Sequence, residues 1–190
     1  MPDSPETVPI STAWSVITGP PSAGKTTVLD ALADRGHRVV PESARAHIAE
    51  LGHAPADIAA SPTLQARIQH GIAARQRAVE QALAPTDALF LDRALPDSIA
   101  YFEQLKLATD DLILRAARLR YRQVFYLQGL PLAADGLRFE DDHGARAIGD
   151  AILRAYRRLG YAPVIVPAPP REDLAEAVAE RLGLILGHLG

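Results

Sequence analysis

The sequence predicts an α/β fold in three layers, a five-stranded parallel sheet with helices on both faces. Three observations predict it. Short apolar runs alternate with helical segments along the chain, a pattern that implies parallel pairing and right-handed crossovers. A glycine-rich turn joins the first apolar run to the first helix. Polar clusters follow the second, third and fourth runs, at the strand ends where such folds keep their ligands. At 190 residues, with 48% hydrophobic and 23% charged, the chain suits one domain with a full core.

The elements follow in order. Residues 1–11 carry Asp3, Glu6 and three prolines, without the basic start and apolar stretch of a signal peptide. They read as a disordered cytoplasmic tail, which leaves a single domain over 12–190. Ala13–Thr18 reads as the first strand and Thr26–Arg35 as a helix with Val28, Leu29 and Leu32 on one side. Gly36 stops that helix, and His37–Val40 is the second strand. Ser43 is the expected N-cap of a helix carrying Ile48 and Leu51, and Pro55–Ser61 is a loop or short helical turn.

Thr63–Leu83 is a long helix with Leu64, Ile68, Ile72, Val79 and Leu83 near one face and Arg67, Arg75, Arg77 and Glu80 on a solvated side. Asp87–Leu91 is the third strand, and helices are expected over Pro96–Gln104 and Thr109–Arg120. Val124–Leu127 is the fourth strand. Gly129–Gly144 lacks an apolar period and reads as a lid. Ala145–Leu159, Pro163–Val166 and Glu172–Leu186 complete the pattern as helix, fifth strand and last helix.

The stretch Gly19-Pro20-Pro21-Ser22-Ala23-Gly24-Lys25-Thr26-Thr27 fits G-x-x-x-x-G-K-[ST] at every defined position, between a strand and a helix. In that context the whole stretch is an anion cradle. Backbone N–H groups and the helix dipole face the phosphates, Lys25 reaches the β- and γ-phosphates, and the Thr26 hydroxyl ligates Mg²⁺. Asp92 ends a nearly apolar strand, which suits a carboxylate near Mg²⁺ or one that accepts a proton from a substrate hydroxyl. Glu42 is the other candidate base, and the residues alone do not divide the two jobs. Glu42 and Arg45 form a candidate substrate clamp. Arg93 suits a transferring phosphoryl group or a substrate anion, or else pairs with Asp92 or Asp97. Arg138, in the expected lid, is placed to close onto phosphates, with Arg146 a second candidate.

The remaining composition excludes other chemistries. The net charge of −3 argues against a nucleic-acid surface. The absence of cysteine removes disulfides, thiolate zinc sites and cysteine nucleophiles, and fits a reducing compartment. The six histidines show no ligand spacing, and no G-x-S-x-G elbow anchors a hydrolase triad. No apolar run approaches the ~18 residues needed to span a membrane. A cytoplasmic monomer or homodimer is expected.

Together, Gly19–Thr27, Pro41-Glu42-Ser43-Ala44-Arg45, Leu91-Asp92-Arg93-Ala94-Leu95-Pro96-Asp97-Ser98, Asp135-Gly136-Leu137-Arg138-Phe139-Glu140 and Ala155–Tyr161 carry a resemblance. In that order they resemble the bacterial AAA-domain ATP-binding proteins related to the ribosylnicotinamide kinase domain. The resemblance implies a kinase-like P-loop NTPase fold with strand order 2-3-1-4-5 and a lid, and ATP or GTP with Mg²⁺. It places Asp97, in the Asp-Arg-x-x-x-Asp-Ser motif, on the acceptor side with Glu42, Arg45 and Arg93. It names no acceptor. The expected function is a small-molecule kinase acting on a nucleoside-like or other small metabolite. The alternatives are a nucleotide-dependent regulatory ATPase or switch and a nucleotide-binding protein acting on nucleic-acid ends.

Overall fold

The structure, a computed structural model, describes residues 8–129, 139–168 and 174–189. In chain order its elements are β1 (Ile10–Ser11), β2 (Trp14–Thr18), α1 (Lys25–Ala33), β3 (Val39–Val40), α2 (Ser43–Leu51), α3 (Pro55–Ala60), α4 (Pro62–Ala82) and β4 (Leu89–Asp92). There follow α5 (Leu95–Gln104), α6 (Asp110–Ala116), β5 (Leu119–Arg120), β6 (Gln123–Leu127), α7 (Phe139–Arg158), β7 (Val164–Val166) and α8 (Leu174–Gly187).

The main sheet is all parallel, in the order β3-β4-β2-β6-β7. Counting only its own five strands in chain order, this is 2-3-1-4-5. Central strands buried on both faces read as unbroken apolar runs, and their alternate residues feed two separate cores. Val16, Leu89, Leu91, Val124 and Tyr126 face one layer with Ile148, Ile152 and Tyr156 of α7. Ile17, Phe90, Phe125 and Leu127 face the other with Leu29 and Leu32 of α1 and Leu182 and Ile185 of α8. The register pairs Ile17 with Asp92 and Thr18 with Tyr126, so the ends of β2, β4 and β6 lie level beside the glycine-rich turn.

Several local expectations are corrected. The tail expected over residues 1–11 contributes Ile10–Ser11 to a small parallel pair with Leu119–Arg120. The helix expected to run from Thr109 to Arg120 therefore ends at Ala116. Ser43 is not an N-cap: Glu42 takes that place without a side-chain cap, and the Ser43 hydroxyl donates to Gln76 Oε1 at 3.0 Å. Glu80 is not solvated. It is 3% exposed and accepts from Gln76, the Leu95 N–H and the Tyr121 hydroxyl. The aperiodic stretch to Gly144 is shorter than expected, because α7 begins at Phe139. The rest of that stretch, with Arg138, lies outside the described residues, as do residues 1–7. Among the described residues no helix is long and apolar enough to cross a membrane.

Candidate functional site

The turn after β2 is built by backbone angles that side chains resist. Gly19 has φ +142°, and a Cβ there would stand 2.3 Å from the Leu127 carbonyl oxygen, so only glycine lets β6 pass this close. Ser22 and Gly24 also have left-handed φ, of 60° and 78°. Gly24 then leads into α1, whose first residue is Lys25. The Lys25 ammonium folds back over the turn and donates to Pro20 O at 2.8 Å and Gly19 O at 3.3 Å. Burial, and then the nearby Arg93 charge, lower its pKa to about 8.

Asp92 ends β4 with 8% exposure, and its Oδ1 has no hydrogen-bond partner among the described residues. Burial, and then the Glu42 charge, push its carboxyl up to about 6, against the pull of Lys25 and Arg93. A buried acceptor without a donor has been desolvated without compensation, which is a cost a bound cation or ligand proton would remove.

Arg93 follows with φ +66°, and its guanidinium is shared between two carboxylates. Nε donates to Glu42 Oε1 and a terminal nitrogen to Asp97 Oδ1, both at 2.8 Å. The group lies 5.8 Å from the Tyr101 ring centroid. Burial opposes its charge, but Asp97 and Glu42 hold the guanidinium firmly protonated. Asp97 was expected on the acceptor side. Its oxygens are taken by four donors: Thr18 Oγ1 and the Tyr156 hydroxyl at 2.6 Å each, Arg93, and the Ala94 N–H. It positions Arg93 and fastens the end of β2 to α5 and α7.

A second set of contacts was not foreseen. Gln76 of α4 accepts from Ser43 and donates to Glu80 and, at 3.4 Å, to the Arg93 carbonyl oxygen. It ties the start of α2 to the end of β4. The only sequence signal was a glutamine and a glutamate at i and i+4 in a helix already rich in polar residues.

These groups border one cavity of about 540 Å³. The turn from Pro21 to Thr27 lines it together with Glu42, Asp92, Arg93 and Asp97, and Ile48, Ile72 and Tyr101 add apolar wall. The structure thus brings together Lys25, Thr26, Glu42, Asp92, Arg93 and Asp97. Arg45 lies on α2, but its side chain is outside the described part, as is all of Arg138. The donor set fits Mg²⁺ with a polyphosphate. The unpartnered Asp92 Oδ1 and the Thr26 residue border the same space, and Mg²⁺ takes few protein oxygens when phosphate and water supply the rest. No cluster of three His, Asp or Glu forms a protein-only cage among the described residues.

Compared with known families, the chain matches the AAA domain across residues 14–176. It belongs to that AAA-domain family. Among solved structures, the AAA domain is similar to a NadR protein in complex with NR, at 16% identity and TM-score 0.64, covering 93% of this chain and 49% of the other. It spans about half the length of that protein. It is also similar to thymidylate kinase from Ehrlichia chaffeensis (12% identity, TM-score 0.65, 96% and 100% covered). A third neighbour is deoxyadenosine kinase from M. mycoides, at 14% identity and TM-score 0.59, with 93% and 97% covered. At these identities the likeness is one of fold, that of the P-loop kinases. A comparison with curated proteins gave no match.

Proposed function

We propose that this AAA domain is a small-molecule kinase that takes the γ-phosphoryl group from ATP or GTP and passes it to a hydroxyl or phosphate of a nucleoside-like or other small metabolite. The observation that carries the reading is the single cavity. The glycine-rich turn lines it together with a carboxylate that has an unpartnered oxygen, an ion-paired glutamate and apolar side chains. Fold neighbours named as kinases support the reaction class.

In this reading the turn from Gly19 to Thr27 holds the phosphates through backbone N–H groups, and Lys25 leaves its loop carbonyls for the phosphate oxygens. Asp92 and Thr26 would hold Mg²⁺, which would neutralise charge between the β- and γ-phosphates. Asp92, whose Oδ1 has no hydrogen-bond partner among the described residues, is assigned the metal side, and Glu42, ion-paired to Arg93, the acceptor side. Glu42, held by Arg93, takes the proton from the acceptor hydroxyl. The acceptor oxygen forms a bond to the γ-phosphorus while the bridging bond to the β-phosphate breaks, and the nucleoside diphosphate leaves. Arg93 would serve as a cation toward phosphoryl or substrate charge, a role proposed for Arg45 and Arg138 from the sequence alone.

The test is ADP release from Mg-ATP across a panel of nucleosides, cofactor precursors and polar alcohols. Acceptor-dependent release for one chemical class is expected. Binding of ATP with only background release for every acceptor would replace the kinase by a nucleotide-dependent switch.

A further inference from the structure

Arg181 lies in α8, far in sequence from every residue of the candidate site described above, yet it is 3% exposed. Its guanidinium donates to three backbone carbonyls: Ala23 at 2.5 Å, Gln128 at 2.8 Å and, through Nε, Pro167 at 2.9 Å. Ala23 is in the glycine-rich turn, Gln128 follows β6 and Pro167 follows β7. No carboxylate is bonded to this guanidinium among the described residues. Burial lowers its pKa, and a buried arginine without an acidic partner is costly, so the arrangement calls for a use.

We propose that Arg181 is a positioning residue for the phosphate cradle. In a trans peptide the C=O and the following N–H point in opposite directions. Holding the Ala23 carbonyl toward α8 therefore turns the Gly24 N–H away from α8. The cavity borders Ala23, Gly24 and Lys25, and in the nucleotide reading that N–H is one of the cradle donors. Gly24, with φ 78°, is free to take other angles, so something outside the turn has to hold this peptide. The same guanidinium ties the turn to the ends of β6 and β7, so the cradle is set before a ligand arrives.

The inference rests on the nucleotide reading, and the experiment separates the two. Mg-ATP and inorganic tripolyphosphate are titrated calorimetrically into wild type, Arg181→Lys and Arg181→Met, with the Gly24 amide followed by NMR. Arg181→Met should weaken both ligands by roughly 10-fold or more, the size of a lost charge-assisted hydrogen bond. Arg181→Lys, which keeps the charge and some donors, should recover part of the loss. The Gly24 amide should shift on tripolyphosphate addition in wild type and shift less in Arg181→Met. If Arg181→Met does not fold, Arg181→Lys alone decides, with an intermediate loss and a reduced Gly24 shift expected. Unchanged affinity and an unchanged Gly24 response in a folded variant would overturn the role of Arg181. No binding of either ligand to wild type would overturn the nucleotide reading, and this inference with it.

Discussion

Arg93 Nε donates to Glu42 Oε1 at 2.8 Å across 51 residues of sequence, locking the start of α2 to the carboxyl end of β4. The pair lines the same cavity as the glycine-rich turn. Glu42→Gln should keep the fold and the nucleotide affinity but lower kcat by about 10²-fold or more, because the proton acceptor is lost. Steady-state kinetics beside ATP titration checks this. An unchanged kcat would move the base role to Asp92.

Asp92 gives a pH-dependent signature. Its carboxyl lies at about 6 in the folded chain against an ordinary 3.8, so the fold binds this proton more tightly than the unfolded chain does. Stability from this group is present below the lower value and is lost as pH rises through the higher one. Without nucleotide or metal, Asp92→Asn should be more stable than wild type at neutral pH, by about 1–3 kcal/mol, with the gain vanishing toward about pH 4. Denaturant melts in EDTA across this range check it. A variant that is no more stable at neutral pH would contradict the burial argument. Asp92→Asn should also raise the Mg²⁺ concentration needed for half-maximal turnover.

Lys25→Ala should leave the melting transition nearly unchanged, because among the described residues the buried ammonium bonds only to carbonyls of its own loop. Nucleotide affinity or turnover should fall by about 10²-fold or more, since the cation facing the phosphates is gone. Calorimetry on a variant shown to be folded by circular dichroism reads this directly.

The sheet and the glycine-rich turn were legible because their signals are local. Glycine spacing between an apolar run and a helix needs no knowledge of the rest of the chain, and neither does a carboxylate ending an apolar strand. The missed features depend on distant partners. Glu80 looks like a solvated helix residue until Tyr121 and Leu95 arrive to bond it. Ser43 fits an N-cap until Gln76, on another helix, takes its hydroxyl. Arg181 carries no motif at all, and its carbonyl at Ala23 is 158 residues away. Leu119–Arg120 continues a helical pattern, and only the approach of Ile10–Ser11 turns it into a strand.

Glu80→Leu tests the buried network behind the site. It leaves the Gln76 amide, the Leu95 N–H and the Tyr121 hydroxyl without their acceptor in a dry interior. A loss of about 2–4 kcal/mol or more is expected from these three buried donors, of which Gln76 keeps a contact to the Arg93 carbonyl. Chemical denaturation measures it, and a loss below the error of the fit would show that water or a neighbour replaces the carboxylate.

Gly19→Ala tests the close passage of β6. The added methyl would meet the Leu127 carbonyl oxygen at 2.3 Å, so the turn has to move. The expected result is a folded, less stable protein with nucleotide affinity lowered by about 10-fold or more, because the cradle is displaced from its donors. Wild-type affinity in this variant would mean that the turn adapts.

The most direct test of the central claim, that one cavity joins a triphosphate cradle to an acceptor recess, is ³¹P NMR of Mg-ATP turned over with the acceptor panel. The account predicts that, with at least one acceptor, the γ-phosphate signal decays into a new phosphoester or phosphoanhydride resonance, and that Lys25→Ala abolishes the transfer. Decay into inorganic phosphate alone with every acceptor, or no decay at all, would contradict it.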